Sequence, residues 1–165
     1  SKKNISSLCY DPYFQSPISR EFKPGKYNMI TLWHVLEHSY DLDLIFEKLN
    51  ESLSESGFLF IAVPNIDAYD RYIYMNNWAA YDVPRHLYHF NHSTLSKILD
   101  KNGYKVIKKK RMLFDTFYIS ILSSMKISKL SVIKSIFYSC LIVIRVLFKG
   151  PNYSSSLLYV CQRKK

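Results

Sequence analysis

Residues 27–38 read Tyr-Asn-Met-Ile-Thr-Leu-Trp-His-Val-Leu-Glu-His. An apolar run (Met29, Ile30, Leu32) stops at Trp33-His34, and Glu37-His38 follow at once. Polar and aromatic groups at the end of a buried strand mark the place where open α/β sheets hold ligands. A second unit repeats the pattern: Phe58-Leu59-Phe60-Ile61-Ala62-Val63, then Pro64-Asn65. Two buried strands with polar tips, joined by a helix-length segment, predict an α/β fold that holds a cofactor. They argue against an all-helical or all-β module.

The segment between these strands supports the reading. Asp41 is a good helix N-cap, and Leu42, Ile45, Phe46, Leu49 and Leu53 fall on one helical face. The pattern predicts a helix over residues 41–53, ended by Glu55-Ser56-Gly57, with Gly57 in a left-handed conformation. Phe58–Val63 is apolar throughout, as a central strand should be. Downstream, Ser93 is placed to cap a helix over Thr94–Asn102 that Gly103 stops. Tyr104–Met112 reads as a strand whose Lys105, Lys108, Lys109, Lys110 and Arg111 suit a solvated sheet edge. Phe114–Ser124 is expected to be helical, Gly150-Pro151-Asn152 to turn, and Ser155–Gln162 to form the last strand. A short strand is expected at Ile5–Tyr10, followed by a proline-rich loop over residues 11–26.

Three stretches occur in order: Ile30–His38, Phe60–Asn65, and Tyr81-Asp82-Val83-Pro84-Arg85-His86-Leu87-Tyr88-His89-Phe90. Together they resemble class I S-adenosylmethionine-dependent methyltransferases, in particular the bacterial branch near the ubiquinone-biosynthesis-type enzymes. The resemblance runs from about Tyr27 to Phe117 and resumes at Leu157–Val160. It implies a Rossmann-like sheet, mostly parallel with an antiparallel edge. It also implies S-adenosylmethionine as cofactor and methyl transfer to a small molecule or a glycan precursor. That family holds its cofactor through a glycine-rich loop. The four glycines here (Gly25, Gly57, Gly103, Gly150) form no G-x-G cluster. The chain is therefore expected to correspond to the C-terminal portion of such a domain, without its N-terminal strands, with impaired activity and with weak or absent cofactor binding alone. One partial domain is expected over residues 1–165, with a helical excursion at about 113–154 between the last two strands. A non-catalytic, dimerising half-domain is the rival reading.

The resemblance assigns roles. Trp33 and His34 would line the cofactor pocket, against the plainer reading of His34 as a capping or core histidine. Asn65 would face the substrate, or simply form a turn. Trp78 and Tyr81 would wall an apolar substrate, and His38 would approach it. Glu37 reads better as a group that fixes the loop before Asp41. Arg85 offers a fork for a carboxylate or phosphate, or pairs with Asp82 to hold its loop. His86 and His89 could act as base or donor on the substrate side near neutral pH. His86, His89 and His92 are spaced by three, but no carboxylate or cysteine joins them in a ligand pattern, so no metal is expected.

Bulk properties narrow the classes further. With 165 residues, 48% hydrophobic and 22% charged, the chain is an ordinary globular domain. The net charge of +10 permits an acidic partner; a lysine-rich soluble surface explains it as well, and nucleic acid is not expected. Cys9, Cys140 and Cys161 are too few and too scattered for a disulfide framework or zinc site. Free thiols and a signal-free N-terminal stretch point to the cytoplasm. Val132–Phe148 is the most apolar stretch. Leu130, Ile133, Phe137, Leu141, Ile144 and Phe148 recur at helical steps, while Lys134 and Arg145 interrupt it. A membrane span is not expected. A core or partner-facing helix is the plain reading, a homodimer surface or a lid is open, and an interfacial membrane helix is the sharper alternative.

Overall fold

A computed structural model describes residues 27–127 and 132–164. The expected Ile5–Tyr10 strand and the loop over residues 11–26 lie outside them. The described chain runs β1 (Tyr27–Trp33), α1 (Leu42–Ser52), β2 (Leu53–Pro64), α2 (Tyr69–Tyr74), α3 (His92–Lys101), β3 (Tyr104–Arg111), α4 (Leu113–Ile127), α5 (Val132–Lys149) and β4 (Ser156–Arg163), with short 3-10 turns between them. The four strands form one sheet in the order β1-β2-β4-β3. β1 and β2 pair in parallel, with Trp33 beside Ala62. β4 runs antiparallel to both neighbours, so β1, β2 and β3 share one direction. This is the Rossmann-like sheet with an antiparallel edge that the sequence predicts. The lysine-rich strand, β3, lies at that edge.

The parallel pairing sets the position of everything functional. Both β1 and β2 end at the same margin of the sheet. The backbone N–H of His34 continues the ladder onto the Ala62 carbonyl at 2.9 Å. Under the sheet, Phe46 and Leu49 of α1 and Leu95 and Leu99 of α3 pack against Leu59, Ile61 and Tyr159. A second cluster gathers around Trp78 with Ala68, Tyr74, Ile119, Ile142 and Val146. It ties α4 and α5 to the loops beyond β2.

Two boundaries differ from expectation. Asp41 does cap α1, accepting from the Leu44 N–H at 2.9 Å. The helix, however, ends at Ser52, and Gly57 lies inside β2 rather than in a left-handed cap. The register of β1 against β2 jumps between Tyr27 and Met29, and the extra β2 residues fold Leu53 over Gly57. A Cβ at Gly57 would fall 2.7 Å from the Leu53 side chain. Gly57 is thus required by close approach, the other common reason for glycine in a strand. α3 starts at His92 rather than Thr94, because Asn91 and Thr94 form a capping box in which each side chain serves the other's backbone N–H. Gly103, at φ +83, stops that helix as expected.

Candidate functional site

The cluster starts at His34. Its φ of 52, just past the end of β1, lies in the left-handed region, where a residue with a side chain is seldom found. That turn swings the imidazole between two carboxylates. Nδ1 donates to Glu37 Oε1 at 3.0 Å, and Nε2 donates to Asp115 Oδ2 at 2.9 Å. The Asp115 bond, then the Glu37 bond, push the His34 pKa up to about 9 against the opposing effect of burial. At neutral pH His34 is an imidazolium. It lies between two carboxyl groups, one on each ring nitrogen. Trp33, just before it, is half exposed at 51%.

Glu37 is fully buried, and its Oε2 has no hydrogen-bond partner among the described residues. Its backbone carbonyl accepts from the Leu87 N–H at 2.7 Å. His38 adds a second tie, Nδ1 to the Arg85 carbonyl at 3.0 Å, and its ring meets that of His86 edge-on at 4.7 Å. These bonds fold the segment around residues 78–90 back onto the tip of β1. The first and third sequence motifs are therefore neighbours in space.

Within that segment the histidines have fixed orientations. His86 Nδ1 lies 2.9 Å from the Ala80 carbonyl. Nδ1 must therefore carry the proton, which leaves Nε2 as the acceptor. Burial lowers the His86 pKa, so the ring is neutral at physiological pH. His89 Nε2 lies 3.0 Å from the Tyr81 carbonyl. Arg85 is largely exposed and donates to Asp82 Oδ1 at 2.7 Å. Glu37, His38 and His86 bring one donor atom each to within 4.8 Å of one another, a spacing a cation could use. The sequence spacing of His86, His89 and His92 gave no hint of this grouping.

Other expected site residues sit deeper. Asn65 is 2% exposed; its Nδ2 donates to the Asn152 and Ser154 carbonyls at 2.7 and 2.9 Å, and its Oδ1 accepts from the Asp67 N–H. Trp78 is buried, donates from Nε1 to Asp70 Oδ2 at 2.9 Å, and meets the Tyr81 ring edge-on. Tyr81 accepts from Arg71 at 3.4 Å. Two carboxylates escaped the sequence reading. Asp115 reaches His34 across 81 residues of sequence. Asp70 is buried, held by Trp78 and by the Ser155 hydroxyl at 2.7 Å. A cavity of about 370 Å³ between α2, α4 and α5 shares no residue with the strand-tip cluster.

Residues 4–109 match the family described as "Methyltransferase domain". The chain belongs to the methyltransferase domain family. No curated protein matches this chain by sequence. Among solved structures it is similar to phosphoethanolamine N-methyltransferase 2 of Haemonchus contortus in complex with S-adenosyl-L-methionine, at 14% identity and a TM-score of 0.52. That likeness covers 88% of this chain and 35% of the other. It is also similar to a Listeria monocytogenes protein described as an S-adenosylmethionine dependent methyltransferase, at 13% identity and a TM-score of 0.50. There it covers 93% of this chain and 73% of the other. At such identities the likeness speaks for the methyltransferase fold. The chain spans about a third of the length of the nematode enzyme.

Proposed function

We propose that this methyltransferase domain transfers a methyl group from S-adenosylmethionine to a small molecule or glycan precursor. The three motifs favour a place near the bacterial ubiquinone-biosynthesis-type branch. The observation that carries the reading is the fold-back of the 78–90 segment onto the β1 tip, through Leu87 to Glu37 and Arg85 to His38. It puts an aromatic, histidine-rich loop beside the strand ends where α/β sheets hold ligands. Sharing the fold with structures that carry S-adenosylmethionine supports the choice of donor.

The residues present suit that donor. Trp33 offers an exposed indole at the strand tip, suited to a nucleoside ring or a cation. The His34–Glu37–Asp115 cluster places two carboxyl groups at the strand tip, a setting that suits a sulfonium. The donor supplies an already electrophilic methyl carbon. What the chain must add is alignment and a place for the acceptor's proton. His86, with Nδ1 tied to the Ala80 carbonyl and Nε2 3.8 Å from Asp82 Oδ2, is the base we assign. Arg85 and His89 stand on the same loop to hold an anionic or hydroxylated acceptor, with Tyr81, Trp78 and His38 shaping the wall. Asn65 fixes the β2 tip against the 152–154 turn on the substrate side.

Release of S-adenosylhomocysteine from labelled donor, measured over pools of hydroxylated small molecules and glycan precursors, tests the proposal. His86→Asn should lower kcat and leave the donor's KM unchanged. Turnover unaffected by that substitution would overturn the role of His86, and failure of millimolar S-adenosylhomocysteine to perturb Trp33 and His34 would overturn the reading.

A further inference from the structure

The α4–α5 hairpin is built inside out for a water-soluble domain. Its inner side is rich in serine: Ser120, Ser123 and Ser124 of α4 are buried with Ser135 and Ser139 of α5, beside Ile119, Ile142 and Val146. Ser135 donates to Ser124 across the seam at 3.1 Å. Most of the large apolar side chains of α5 point the other way. On α5, Ile133 is 78% exposed, Phe137 61% and Phe148 87%, and Leu141 and Ile144 are exposed with them. At 100° per residue these five fall within one narrow stripe, opposite the buried Ser135, Ser139, Ile142 and Val146. Small residues between helices and large apolar ones outside are the arrangement of helices whose surroundings are lipid. A contiguous apolar face of this kind on a soluble domain marks an interaction surface.

Charge selects the occupant. Lys134, Arg145 and Lys149 are exposed along one border of the stripe. The whole chain carries +10. A second copy seated on the same face would bring its own basic border and its own +10. An anionic bilayer brings the opposite charge and an apolar layer a few ångströms deep. No helix among the described residues is long and apolar enough to cross a membrane. α5, about 27 Å long at 1.5 Å per residue, has the dimensions to lie in the interface plane. The cavity beside α5 continues the apolar surface inward from the basic border, sharing Leu141 and Arg145 with it. A bilayer can fill such a hollow with an acyl chain.

We infer that the exposed face of α5 seats this domain on the surface of an anionic membrane, peripherally and reversibly. This stands apart from the methyl-transfer reading, since it uses none of the strand-tip residues. The test is flotation of the purified chain with vesicles of phosphatidylcholine alone or with phosphatidylglycerol added. The wild-type chain should float with the phosphatidylglycerol vesicles, detach as salt is raised, and remain behind with phosphatidylcholine alone. Phe137→Asp with Phe148→Asp should weaken flotation by about tenfold or more, and Lys134→Glu with Arg145→Glu should do the same. All four side chains are exposed, and circular dichroism verifies the fold of each variant. No flotation of the wild-type chain, or equal flotation with both vesicle types, overturns the proposal. So does a dimer in sedimentation that Phe137→Asp dissolves, which would assign the face to a second copy.

Discussion

Asp115, in the first turn of α4, accepts a hydrogen bond from His34 at the tip of β1 across 81 residues of sequence, at 2.9 Å. The bond fastens the helical hairpin to the strand-tip cluster. It also makes His34 a stabilising cation, because Glu37 holds the other ring nitrogen.

That arrangement fixes a pH dependence. The native pKa of about 9 lies above the unfolded value of 6.5. The native state therefore holds the proton more tightly. Its contribution to stability is complete below pH 6.5 and is lost as pH rises through about 9. Asp115→Asn should flatten stability over this window. Urea denaturation at a series of pH values measures it; an unchanged slope in the variant would show that the contact does not hold the proton.

Asp70 shares that pH direction for a different reason, because its charged form is disfavoured. Burial pushes its pKa above the ordinary 3.8, so the native state becomes relatively less stable as pH climbs from 3.8 through the native value. Asp70→Asn should relieve this and cost little at neutral pH. Asp70→Ala leaves the Trp78 N–H and the Ser155 hydroxyl without their acceptor and should cost about 1–3 kcal/mol. Chemical denaturation of the two variants distinguishes the effects, and equal losses would refute the burial argument.

Gly57→Ala should destabilise by about 1–3 kcal/mol, since the added methyl meets the Leu53 side chain inside β2 and must displace it. Leu53→Ala in the same chain removes the nearer clash and leaves Ser54 Oγ at 2.9 Å, so the glycine substitution should then cost less than it does alone. A thermal-melt double-mutant cycle reads this coupling; strict additivity would contradict the close approach.

The fold was legible because its signals are periodic. Ile30 and Leu32 in β1, the all-apolar 58–63 run, and the Leu42–Leu49 helical face each repeat at the period of their element. Boundaries set by a single side chain were not. A glycine after a helix serves equally as a left-handed cap or as a site of close approach, and only the β1–β2 register showed which applied to Gly57. Ser93 and Asn91 are both competent caps; the reciprocal Thr94 bond decides for Asn91. At the candidate site, the fold-back of residues 81–90 onto Glu37 and His38 joins motifs that the sequence already singled out. The His34–Asp115 and Trp78–Asp70 pairs carry no such mark. Asp115 looks like an ordinary first-turn acid, and Asp70 like a surface residue among tyrosines.

For the chemistry, burial holds the His86 pKa below its usual 6.5, so a reaction that uses it as base should lose rate only below that value. A pH–rate profile of kcat/KM with its acid limb at or above neutrality would point to another base.

The strand tips are the core of the account, and nuclear magnetic resonance reports on them directly. S-adenosylhomocysteine is titrated to millimolar concentration while the Trp33 indole and His34 imidazole signals are followed. Both signals should move together and saturate, and Asp115→Asn should shift the His34 response. Saturable changes confined to the α2–α4–α5 cavity, with Trp33 and His34 unmoved, would contradict it.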